Sequence, residues 1–163
     1  NSELANVLGN LLNRTVSMAN KYFGGVIGSA DNGGEFDDDL KAVATSAFEK
    51  VNEKMKTFHI ADSLDEIWKV VDRANKYIDE TTPWILGKDE ATKPRLETVL
   101  YNLAESIRWG AVMLAPIIPQ TSAEILEMLG CGTCVSFDEI GSSDRFGKRK
   151  TGSRISFGQR DYR

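Results

Sequence analysis

The chain has 163 residues, 41% of them hydrophobic and 27% charged, with a formal net charge of −4, an ordinary composition for one soluble globular domain with a real core. No run approaches the roughly 18 consecutive apolar residues of a membrane span, and the first residues carry neither a basic nor an apolar leader pattern. Two cysteines are too few for a disulfide framework, so a cytoplasmic protein is expected, and a start without Met suggests a segment excised from something longer.

The charge is unevenly spread. Positions 144–163 carry a net +5 and the body before them −9. An acidic body argues against broad gripping of a nucleic-acid backbone, which needs many Lys and Arg contacts to phosphate. Any nucleic-acid role is therefore expected to be local, with a few bases read at one spot.

In chain order, a first amphipathic helix is predicted from Ser2 to about Phe23. Leu4, Val7, Leu8, Leu11, Thr15, Met18 and Tyr22 recur at steps of three and four. Ser2 or Asn1 can cap it, and Gly24-Gly25 stops it. After a Gly/Asn/Asp loop, Asp37 to Asp39 mark a helix start, where negative charge is favoured. That second helix runs to about Phe58 with Leu40, Val43, Ala44, Ala47, Val51 and Met55 inward. A third is predicted to open near Asp62-Ser63, because Ser63 and Glu66 match a capping box. It is expected to bury Leu64, Ile67, Trp68, Val71, Ala74, Asn75 and Ile78 and ends at Thr82, ahead of Pro83. Trp84 to Gly87 follow as a short turn. A fourth helix starts between Ala91 and Pro94, ends near Leu114 and includes Leu96, Val99, Leu100, Leu103, Ile107 and Val112. Beyond Pro116 and Pro119, Thr121 to Leu129 give a fifth, closed by Gly130.

The expected architecture is an all-α five-helix bundle. Residues 1–135 form the helical domain and 136–163 a basic, irregular tail in which the helical pattern fades.

Most candidate chemical groups have a structural explanation. Trp68 and Trp109 read as core. Asp79 and Glu80 point about 100° apart on a helix, so they are surface or packing charges rather than paired acids. Asp37 to Asp39 lack the alternating spacing of a calcium loop. Cys131-Gly-Thr-Cys134 offers two ligands where structural zinc needs four, and His59, the sole histidine, is remote in sequence. No metal or cofactor site is expected.

Three residues resist that treatment. Trp84 follows Pro83 at a helix end, where it either plugs the bundle or presents a π-face on which an unpaired base can stack. Asn10 and Arg14 lie one turn apart on the first helix, off the apolar stripe. They are either a solvated face or a donor–acceptor pair suited to the polar edges of a base.

Taken in order, these segments resemble a known family. Leu8 to Thr15 followed by Lys21 to Gly25 is similar to the first helix of the anticodon-binding domain of bacterial-type methionyl-tRNA synthetases, which are class I aminoacyl-tRNA synthetases. Ala74 to Trp84 resembles that family's most specific stretch, and Leu114 to Pro119 the helix that closes its bundle. The resemblance covers about Asn1 to Gly130.

It implies the fold of class I anticodon-binding domains and recognition of the CAU anticodon of methionine tRNAs. Trp84 would stack on the first anticodon base, Pro83 would hold Trp84, and Asn10 and Arg14 would meet base edges. The implied partners are methionine tRNA and a catalytic domain of the same chain, with no membrane and no DNA. The family's His-Ile-Gly-His and Lys-Met-Ser-Lys-Ser signatures are missing. This segment is therefore expected to supply tRNA binding, while ATP serves as cofactor of the parent methionine-tRNA ligase. The alternatives are a helical protein-interaction bundle and the anticodon domain of a sister class I synthetase.

Overall fold

The computed structural model describes residues 2–131 and 154–155. Six α-helices occur among them: α1 (Ser2–Phe23), α2 (Asp37–Lys56), α3 (Ile60–Thr81), the one-turn α4 (Pro83–Leu86), α5 (Lys93–Leu114) and α6 (Pro119–Met128). A 3-10 turn, Glu90–Thr92, leads into α5. The five long helices are those expected from periodicity, and the Trp84 segment adds a short one.

The core is arranged around α5. Helices α1, α2, α3, α4 and α6 all touch it, and from Thr98 to Leu114 every residue but Asn102 is buried. A helix buried on all sides cannot be amphipathic in the usual sense. Its polar members, Glu105, Ser106 and Arg108, are therefore enclosed along with Leu103, Ile107 and Val112. Burial of a charged group demands a partner. Arg108 Nε donates to the two Glu105 carboxylate oxygens at 3.1 and 3.2 Å, and Trp109 Nε1 donates to Glu105 at 3.2 Å. Trp109 also meets the Phe48 ring edge-on, with centroids 5.7 Å apart. On α1 the buried stripe is wider than expected, because Leu12, Val16 and Ala19 join Leu4, Leu8, Leu11 and Thr15 inside.

Helix α3 starts earlier than its sequence suggests. It begins at Ile60, and Ser63 is already inside it, donating its hydroxyl to the His59 carbonyl at 3.0 Å. The expected capping box of Ser63 and Glu66 does not form, because Glu66 is engaged elsewhere. Its buried carboxylate accepts from Lys54 at 3.1 Å and Lys69 at 3.0 Å, with Lys50 at 4.0 Å. The Lys54 and Lys50 ties fasten α2 to α3.

Helices α2 and α6 end with the same hydrogen-bond pattern but different residues. At α6, Gly130 (φ 68°) donates to Glu127 and Cys131 donates to Leu126, at 2.9 and 3.0 Å. At α2, Phe58 (φ 59°) donates to Met55 at 3.1 Å and His59 to Lys54 at 2.9 Å. A side chain in this left-handed region costs about 1–2 kcal/mol, and the Phe58 ring, 88% exposed, recovers little of that by burial. Phe58→Gly is expected to raise unfolding stability by about 0.5–1 kcal/mol once glycine's greater unfolded freedom is deducted. A urea midpoint that moved down would refute this account of the α2 end.

Among the described residues no helix is long and apolar enough to cross a membrane, and no group of three or more His, Cys, Asp or Glu could hold a metal ion. Cys134, half of the C-x-x-C, lies outside the described residues. Of positions 136–163, only Arg154 and Ile155 lie within them. Arg154 bridges antiparallel to Val26, and Ile155 is buried and donates its backbone N–H to Gly25 at 2.7 Å.

Candidate nucleic-acid interface

The approach to Trp84 begins with a reversal of the chain. Thr82 caps α3 in the left-handed conformation (φ 44°, ψ 60°) and donates to the Ile78 carbonyl at 2.9 Å. A β-branched residue is rarely found there, and such strain persists only where the surroundings over-determine it. The Thr82 carbonyl then accepts from Ile85 at 2.8 Å, starting α4 with Pro83 at its first position, where a missing N–H costs nothing.

In this single turn, Pro83 is buried and Leu86 packs on the core. The two residues between them point out: Trp84 is 44% exposed and Ile85 53%. Thr92 secures the far side by donating to the Leu86 carbonyl at 2.6 Å. Trp84 is therefore presented on a clamped turn, and the bundle-plug alternative does not describe it.

A charged network stiffens the bundle beside this turn. Arg95 grips Asp37 with two hydrogen bonds of 2.7 Å, and the buried Tyr77 donates its hydroxyl to Asp37 at 2.6 Å. Asn102 in turn donates to the Tyr77 oxygen at 3.3 Å. Burial alone would raise the Asp37 carboxyl. The hydrogen bonds from Arg95 and Tyr77, with the Arg95 charge, outweigh it and hold Asp37 below the ordinary aspartate value. Burial and the Asp37 hydrogen bond both push the Tyr77 phenol well above its usual range. Glu66 follows Asp37, its burial being outweighed by Lys69 and Lys54, so its carboxyl also lies low. Arg73 joins Asp39 to Glu80, the latter in ion-pair contact at 2.9 Å, which accounts for Glu80 as a packing charge.

A carboxylate lowered by folding stabilises the native state fully above its unfolded value, about 3.9 for Asp and 4.3 for Glu. That contribution fades as the pH falls through the lower, folded value. The thermal midpoint is expected to drop on acidification below about pH 4, and Asp37→Asn should flatten the drop. A midpoint indifferent to pH in that window would count against this network.

Asn10 and Arg14 occupy the exposed face of α1, one turn apart. Neither side chain makes a hydrogen bond to another described residue. The contact between α1 and Trp84's turn lies further along, where the Tyr22 ring packs against Gly87. From Tyr22 back to Arg14 is eight residues and to Asn10 twelve, about 12 and 18 Å of helix. Three bases stacked at 3.4 Å cover about 10 Å, and more when splayed. Asn10 with Arg14, and Pro83 with Trp84, are thus two separate stations, linked through the contact of Tyr22 with Gly87.

Between the stations the exposed side chains are Asn13, Ser17, Asn20 and Lys21. From Leu4 to Ala30 the chain has no Asp or Glu, although it carries 24 in all. This gap in the acidic surface is the signal that residue-by-residue reading missed. Lys21 is further fixed by its ammonium lying 5.2 Å from the Tyr22 ring centroid, a cation–π distance.

Comparison with known proteins places the chain in a family. A family model described as the anticodon-binding domain of tRNA ligase matches residues 37–154, reaching further toward the C-terminus than the expected end near Gly130. The methionine–tRNA ligase of Caldanaerobacter subterraneus subsp. tengcongensis is 48% identical over 159 residues, covering 98% of this chain and 24% of that protein. That of Clostridium acetobutylicum is 45% identical over the same length and coverage. The chain thus spans about a quarter of the length of the curated relatives it matches. Among solved structures, the free-state Mycobacterium tuberculosis methionyl-tRNA synthetase superposes with a TM-score of 0.86 at 31% identity, over 98% of this chain and 32% of that one.

Proposed function

The chain belongs to the anticodon-binding domains of tRNA ligases, and from that premise we propose that it reads the CAU anticodon of methionine tRNAs. It does so within a cytoplasmic ligase whose catalytic domain uses ATP to join methionine to tRNA. The observation that carries this reading is Trp84, half-exposed on a turn clamped at Pro83, Leu86 and Thr92, with no Asp or Glu along α1 from Asn10 to Phe23.

Trp84 stacks on the first anticodon base, a cytosine. Pro83 fixes the turn from which the ring projects. Asn10 and Arg14 supply an amide and a planar fork of donors for the edges of the unstacked bases. No carboxylate of α1 lies between Asn10 and Phe23 to repel neighbouring phosphates, so recognition can rest on a few groups while the rest of the body stays acidic.

The test uses the full-length protein and RNA hairpins that differ only in the anticodon. The CAU hairpin is expected to bind at least about tenfold tighter than one with its first base changed. Each good base-edge contact is worth about 1–3 kcal/mol, so Arg14→Ala is expected to cost about tenfold or more. Equal binding of all hairpins would instead support a protein-interaction bundle. A preference for another anticodon would assign the domain to a sister class I ligase.

A further inference from the structure

Gly87 closes α4, three residues after Trp84, and its backbone (φ −74°, ψ −7°) is one that any residue adopts. The reason for glycine there is space. A Cβ at this position would lie 2.3 Å from Tyr22 Cε1, 2.5 Å from Cζ and 2.9 Å from Cδ1. These distances are far inside van der Waals contact, so the Tyr22 ring occupies the volume that any other residue would need.

The ring cannot withdraw freely. It is half-buried against the core, turns on only two torsions, and has the Lys21 ammonium above it. Just beyond it, α1 stops at Gly24 and Gly25, both with positive φ. Tyr22 therefore belongs to the last rigid turn of the helix that carries Asn10 and Arg14. Gly87 belongs to the turn that carries Trp84.

We infer that Tyr22 and Gly87 are a matched positioning pair: the ring seated on bare backbone sets the distance between the Asn10–Arg14 station and Trp84, and so the spacing of bases the surface accepts. The inference rests on the reading of Trp84 as a base-stacking residue. A ring on backbone is a close and stiff contact, because nothing soft lies between them. A side chain at position 87 must push the turn away from α1 or turn the ring out, and either changes the register of the two stations.

Binding of the CAU hairpin to the full-length protein tests this, with thermal midpoints recorded for every variant. Gly87→Ala is expected to lose about tenfold in affinity and most of the preference for CAU over a hairpin changed at its first anticodon base. Tyr22→Phe keeps the ring and is expected to bind like the parent protein. Combining Gly87→Ala with Tyr22→Val, which frees the volume, is expected to recover affinity to within about threefold.

A purely stabilising contact gives a different result, in which affinity follows the thermal midpoint and the second substitution makes both worse. That outcome overturns the inference, as does unaltered CAU preference in Gly87→Ala. Failure of the underlying reading is recognised separately, because Trp84→Ala would then bind the hairpin as well as the parent protein does.

Discussion

Trp84→Ala is expected to weaken binding of a CAU hairpin by tenfold to a hundredfold while moving the thermal midpoint very little. Stacking of one base on an aromatic ring is worth about 1–3 kcal/mol, and each 1.4 kcal/mol is a factor of ten. The small effect on stability follows from how the turn is held. Pro83 and Leu86 bury its inner side, and Thr92 bonds its last carbonyl, all independently of the indole. The ring itself is 44% exposed, so alanine leaves no cavity in the core.

Trp84→Phe keeps a smaller π-face and is expected to fall between the two, whereas Trp84→Leu, apolar but not aromatic, should behave like alanine. Fluorescence anisotropy with a labelled hairpin measures the affinities and calorimetry the midpoints. In the full-length ligase, charging of tRNA should fall in step while methionine activation is unchanged. An alanine variant with undiminished affinity would remove Trp84 from the interface.

The second large effect is on stability. Glu105→Gln is expected to destabilise the fold by about 3 kcal/mol, lowering the midpoint by roughly 6–12 °C for a chain of this size. Glu105 is fully enclosed on α5 and accepts from both Arg108 and Trp109. An amide there presents N–H groups to a guanidinium that can only donate, and Arg108 loses the carboxylate beside it in the interior. Removing one member of a buried ion pair costs more than the pair contributes, because the other keeps its desolvation penalty. A shift of only one or two degrees would show that Glu105 is not the group on which Arg108 depends.

The parts of this fold that could be read from the sequence are those set by local periodicity. The stripes of α1 and α2, the stop at Gly24-Gly25 and the break before Pro83 all follow from spacing and backbone preference. The start of α3 did not, because Ser63 and Glu66 have the spacing of a capping box but Glu66 is claimed by Lys50 and Lys54 of α2 and Lys69 of α3. Glu105 and Arg108 look like a solvated i,i+3 pair until α5 is known to be the central helix. Tyr77 reads as one more polar position, yet its hydroxyl reaches Asp37, forty residues away.

The interface divides in the same way. Asn10, Arg14, Pro83 and Trp84 could be singled out by residue type and position, and the family resemblance supplied their roles. Whether Trp84 faced inward or outward could not be decided, since a Trp after a Pro serves either purpose. Gly87 gave no signal at all, because the need for a bare backbone there arises from Tyr22, sixty-five positions earlier.

The placement of α5 governs how the chain acquires its structure during synthesis. Helices α1 to α3 leave the ribosome first, and a domain synthesised in this order cannot complete its core until the last central element has emerged. The α2–α3 hairpin can pair at once, since its contacts are close in sequence. Helix α1 meets α3 as well, but the face bearing Leu8 lacks its main floor until Lys93–Leu114 arrives and Gly110 comes to lie beneath Leu8. A nascent chain halted before Lys93 is therefore a sticky intermediate, and the proposed reading surface, divided between α1 and the Trp84 turn, is completed only with α5.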